Sequence, residues 1–155
     1  MKDKDDLKRQ LLAEELYLLD KSVETLKLSV IKCEKLVGKY DLSFEEMESL
    51  DSLTSKFSRT SDLYTQKVLR TIWMLLHEPF VPFIDLLNKA EKMNLIIQAD
   101  QLIEIRDLRN QIAHEYIPEA INELIPEVIA NCTILFQNIL QSETFIKNRN
   151  WHILV

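Results

Sequence analysis

The stretch "LAEELYLLDKSVETLKLSVIKCEKLVG", Leu12–Gly38, decides the fold. Leu12, Leu16, Leu19, Val23, Leu26, Val30, Cys33 and Val37 recur at spacings that alternate between four and three. Such spacing places all eight on one face of a helix. Gly38 is the only glycine in the chain and falls directly after the last of them. A residue without a side chain is wanted there, because a helix often closes on a left-handed residue where a Cβ would clash. Cys33 lies within the seam and reads as a small core residue rather than a redox thiol.

The rest of the chain follows the same pattern. Ser43 can cap a second helix while Glu46 reaches back to it and Leu42 packs on Met47. Leu50, Leu53, Phe57, Tyr64, Val68, Ile72 and Leu75 then make a stripe that should end near His77, ahead of Pro79. Pro82 opens a shorter helix with Phe83, Leu87 and Ala90 inward. A fourth helix is expected from about Gln98 to His114. A last one follows Ile117 and runs to about Gln141, with a kink or restart at Pro126 and a stripe through Ile121, Ile125, Val128, Cys132, Leu135 and Ile139.

Only one Gly and four Pro occur in 155 residues, too few for the turns of a sheet protein. The expectation is an all-α antiparallel bundle of about five helices, two of them about 45 Å long. Residues 1–140 would form the bundle. Residues 141–155 would form a tail, with Trp151 and Ile153 to Val155 docked on the body or on a second subunit.

Hydrophobic residues make up 46% and charged residues 28% of the chain, as in ordinary globular domains. Two cysteines without a C-x-x-C pair suggest neither a disulfide framework nor zinc. The start "MKDKDDLKRQ" has no apolar region of the signal-peptide kind, and no apolar run reaches membrane-spanning length. The chain therefore reads as cytoplasmic, with reduced thiols and no membrane partner. A net charge of −6 argues against broad, non-specific nucleic-acid binding, so any phosphate contact must be concentrated in one place.

One place suggests itself. The stretch "RDLRNQIAHEYIPE", Arg106–Glu119, sets Arg109, His114 and Tyr116 just before the helix-ending Pro118. On a helical wheel Leu102, Ile105, Leu108 and Ile112 share the core arc, and Glu104, Asp107, Gln111 and His114 face away. Arg109 falls within or beside the core arc. A guanidinium there needs a partner or a ligand, since burying it alone costs several kcal/mol. His114 would lie about 140° from Arg109 on an unbroken helix, so joint action requires an unwound helix end or a second subunit. The residues alone leave three plainer readings open. Arg109 could pair with an acidic residue of a neighbouring helix, His114 could be a polar helix end, and Tyr116 a core aromatic with a wet tip. Arg59, Lys67 and Arg70 on the second helix could line a groove, although a solvated face is the commoner role of such residues.

"RNQIAH" followed by "EY" resembles the R-x-x-x-x-H-x-Y signature of the HEPN superfamily, with Asn110 as the polar residue after the arginine. The tyrosine two past the histidine is similar to the HepT-like toxins, which are encoded beside a minimal nucleotidyltransferase (MNT) antitoxin. The resemblance rests on these few positions and on the helix order of the chain. It implies a homodimeric endoribonuclease that needs no metal and no cofactor. Arg109 and His114 would be catalytic and Asn110 would orient the phosphate. RNA would be the substrate and DNA would not. The resemblance also implies that Tyr116 is the position to which the nucleotidyltransferase adds AMP. An alternative within the same resemblance is a non-catalytic module that binds a nucleotide or a nucleotidyltransferase.

Overall fold

The structure, a computed structural model, describes residues 3–153. Within them every regular element is a helix, and no helix is long and apolar enough to cross a membrane. Helix α1 spans Lys4–Glu34 and α2 spans Phe44–Asp62; a π-helical turn, Leu63–Val68, then leads without a break into α3, Leu69–Leu75. Helices α4 (Phe83–Lys92), α5 (Ala99–His114), α6 (Pro118–Glu123) and α7 (Ile125–Lys147) follow.

The ends obey local chemistry. The Ser43 side chain accepts from the Glu46 amide at 3.1 Å, and the Glu46 carboxylate accepts from the Ser43 amide at 2.9 Å, a reciprocal cap. Gly38 has φ +80, the left-handed conformation anticipated for it. Helix α1 nevertheless ends at Glu34, earlier than the seam suggests. The following residues tighten into turns, with Leu36 N–H donating to the Cys33 carbonyl at 2.9 Å, and Val37 swings out to 46% exposure.

Contacts between α1 and the α2–α3 rod run in opposite directions along the two. Cys33 meets Ser49, Ser22 meets Thr60, Glu15 meets Thr71 and Asp5 meets His77. The hairpin is therefore antiparallel. Leu12, Leu19, Leu26 and Cys33 of α1 are fully buried against Leu53, Phe57, Tyr64 and Ile72 of the rod, and α5 and α7 close the core with Leu102, Ile105, Val128, Cys132 and Leu135. Both cysteines are core residues, and burial pushes the Cys132 thiol up to about 12.

The C-terminal boundary differs from expectation. Helix α7 continues to Lys147 rather than ending near Gln141, and Phe145 and Ile146 are buried in it. Residues 141–147 thus belong to the bundle. Ser142, small and polar, interrupts the apolar stripe that would have shown this. Trp151 and Ile153 pack partly buried on the core, while Leu154 and Val155 lie outside the described residues.

Glu15 is a charged residue inside this core, only 6% exposed, and accepts from the Thr71 hydroxyl at 2.5 Å. Burial raises its carboxyl above the usual range, opposed by the Thr71 hydrogen bond and by the charge of Lys67. A raised carboxyl binds its proton more tightly in the folded than in the unfolded chain. Its contribution is present at acid pH and is lost as pH rises through the folded-state value. Glu15→Gln keeps the acceptor and removes the charge. The variant should melt above the parent at pH 8, with the gap closing towards pH 4 in a series of thermal melts. A variant that melts below the parent throughout would contradict this assignment.

Candidate functional site: a basic cleft beside a helix end

The π-helical turn positions the site. An extra residue per turn is costly and recurs where side chains must be aimed. Here it is fixed from within by Tyr64, which is fully buried. The Tyr64 hydroxyl donates to the Asn138 carbonyl at 3.0 Å and lies 2.6 Å from Ser142 Oγ, which in turn donates to the Leu95 carbonyl at 2.8 Å. With Tyr64 inward, Asp62 at the start of the turn and Gln66 and Lys67 within it line an open cleft of about 670 Å³ facing α5.

Arg59, Lys67, Arg106 and Arg109 also line that cleft, with Leu63 and Asn110. Four cations thus face a single carboxylate, in a chain whose net charge is −6. Positive charge is concentrated here against the overall balance, as phosphate binding by an acidic protein requires. A second cleft, about 550 Å³ between α1 and α2, contrasts with it: Glu45, Glu48 and Asp51 there outnumber Lys32 and Lys56.

Arg109 has the carboxylate partner that its position on the wheel demanded. Its Nε donates to Asp62 Oδ1 at 2.9 Å and to Oδ2 at 3.1 Å, and its Nη2 donates to Oδ2 at 2.7 Å. This hydrogen bonding raises the arginine's pKa further, so the guanidinium is always charged. The pair remains open, with 30% of the Arg109 and 41% of the Asp62 side chain exposed, and in so wet a place contributes about 1 kcal/mol or less to stability. Geometry is its main consequence. Asp62 takes the Nε side of the guanidinium, which leaves the Nη1 donors and one Nη2 donor for a ligand in the cleft.

Helix α5 ends at His114, and Glu115 and Ile117 are extended before Pro118 starts α6. His114 is exposed and makes no hydrogen bond or ion pair with any described residue. It is not among the residues lining the Arg109 cleft of its own chain. Asn110 is shared: it lines the cleft and stands one turn before His114 on nearly the same face. Tyr116 is 88% exposed, which excludes the reading of it as a core aromatic. Glu104 and Asp107 are exposed as well.

Of the cations on the α2–α3 rod that the sequence suggested, Arg59 and Lys67 face the cleft. Arg70 turns away, donating to the Val81 carbonyl at 2.9 Å and lying over the Phe80 ring. Two charged lining residues escaped the sequence reading. Arg106 could have been found, since it is one turn before Arg109 on the same helix. Asp62 could not, because nothing local links it to an arginine 47 positions later.

No protein-family model matches the chain, and no curated protein matches it.

Proposed function

We propose that the chain is a cytoplasmic, metal-independent endoribonuclease of the HEPN toxin kind, active as a homodimer and held in check by an MNT-type nucleotidyltransferase. The observation that carries this reading is the Arg109 guanidinium, held on one edge by Asp62 with its free donors towards a basic cleft, on the helix that ends in an exposed His114. The chemistry follows from the groups. The ribose 2′-hydroxyl gives its proton to an imidazole, and its oxygen forms a new bond to the adjacent phosphorus. The bond to the 5′-oxygen breaks and that oxygen takes a proton, leaving a cyclic phosphate and a free 5′-hydroxyl. Negative charge grows on the phosphoryl oxygens during this step, where the forked donors of Arg109 stabilise it.

A base and an acid are both needed. Each chain offers one histidine at the site, and that histidine is outside its own Arg109 cleft. A twofold pairing that sets His114 of one protomer at the Arg109 cleft of the other brings a base there to take the 2′-proton, and water then gives the proton to the leaving 5′-oxygen. The same observation favours a second reading if no such pairing forms: a phosphate-gripping module without catalysis. Incubating the purified protein with mixed RNA in EDTA separates the two. Cleavage to cyclic-phosphate ends supports the nuclease, and tight RNA or nucleotide binding with no cleavage supports the module.

Control by the partner is open to a direct check. Tyr116 projects from an extended segment where a modifying enzyme can reach it. Adding AMP there brings a bulky anion to the helix end that carries His114, where it would occlude RNA and repel its phosphates. Co-expression with an MNT-type nucleotidyltransferase, if one is encoded beside this chain, should increase the intact mass by one or more adenylates in the parent and by none in Tyr116→Phe. Equal gain in both would remove Tyr116 from the account.

A further inference from the structure

The cleft holds more positive charge than one phosphate on Arg109 would use. On the α2–α3 rod Arg59 and Lys67 are eight residues apart, about two turns, with Asp62 between them. Asp62 holds one edge of the Arg109 guanidinium between those two positions. A phosphate seated on Arg109 therefore leaves other cations along the cleft unmatched.

Arg106 carries the second observation. Its guanidinium lies over the Phe83 ring, 4.9 Å from the centroid, and its Nη2 is 4.0 Å from the neighbouring Asp107. In this position its Nε is buried with no hydrogen-bond partner. An unpaired buried N–H is unfavourable, and a ligand in the cleft, of which Arg106 already forms part of the wall, would give it a partner.

We propose that the cleft seats two neighbouring phosphates, one on Arg109 and Asn110 and a second on Arg59, Lys67 and an Arg106 side chain that leaves Phe83 to close on it. The inference rests on the reading of the cleft as a phosphate site and extends it. Anion binding supplies the differential interaction that moves the arm, because only the swung arginine satisfies its donors on phosphate oxygens. The ligand chemistry is a pair of linked phosphates, found both in a nucleic-acid strand and in a nucleoside polyphosphate.

Titrations at several salt concentrations test this, using a fluorescent RNA whose 2′-positions are methylated to prevent attack, and using ATP and AMP. Arg106→Gln should weaken RNA binding about tenfold and reduce the slope of log K against log salt by about 0.7, the value for one phosphate contact on a single strand. AMP, with one phosphate, should bind the variant and the parent within twofold. Loss with RNA alone assigns the second seat to a strand, and loss with ATP alone assigns it to a polyphosphate. Arg109→Gln should weaken every ligand. If Arg106→Gln changes neither RNA nor ATP binding while Arg109→Gln weakens both, the second seat does not exist and the nuclease reading stands. If Arg109→Gln is also silent, the cleft is not a phosphate site and both readings fail. Melting curves guard against misfolding, and Arg106→Lys, which keeps the charge, should recover part of the lost affinity.

Discussion

His114→Ala should lower RNA cleavage by at least about 100-fold, the low end of what a positioned proton-transfer group contributes, and leave the fold intact. The separation is expected because His114 has no partner to lose. Its structural contribution is that of an exposed polar side chain at a helix end, worth about 1 kcal/mol or less, or about 2–4 °C in melting temperature for a domain of this size. Arg109→Lys should be similarly damaging to cleavage. The charge survives, but a lysine has no planar fork with which to make paired bonds to Asp62 on one edge and to a phosphate on the other. Cleavage by His114→Ala at more than a third of the parental rate would remove the imidazole from the mechanism.

Tyr64→Ala should have the largest effect on stability. Removing a fully buried aromatic ring costs about 3–5 kcal/mol, a large share of the 5–15 kcal/mol typical of a whole domain. The melting temperature should fall by about 6–20 °C. The variant also unfastens the π-helical turn from α7, because the Tyr64 hydroxyl joins the turn to Asn138 and Ser142. Tyr64→Phe retains the ring and loses only the hydroxyl, at about 1–2 kcal/mol. It should retain RNA binding, since Asp62 and Lys67 keep their places. A loss below 1 kcal/mol in Tyr64→Ala would show that the turn is held by something else.

The legible parts of this molecule are those set by local chemistry. The seam of α1, the left-handed Gly38, the Ser43–Glu46 cap and the break before Pro118 each depend on residues within a turn or two of one another. What escaped depends on contacts between distant segments. The π-helical turn has an ordinary helical sequence, and the tyrosine within it is bonded to residues 74 and 78 positions later. Asn138, fully buried, looks out of place in the α7 stripe until its partners are seen: it accepts from the Ile97 amide at 2.9 Å and donates to Gln101 at 2.9 Å. At the site, the sequence pointed to Arg109 and anticipated a carboxylate partner as one reading. It could not say that the pairing would leave half of the guanidinium free. The 140° between Arg109 and His114 was legible as geometry, and the cleft, which excludes His114, is consistent with it.

The central claim is that an arginine from one protomer and a histidine from the other meet on one phosphate. Co-expressing Arg109→Ala and His114→Ala chains under different tags, and purifying the mixed dimer through both, tests this most directly. Each variant alone should be inactive. The mixed dimer keeps an intact arginine on one chain and an intact histidine on the other, so RNA cleavage in EDTA should return to a substantial fraction of the parental rate. A mixed dimer that forms, binds RNA and remains as inactive as either variant alone would contradict the claim.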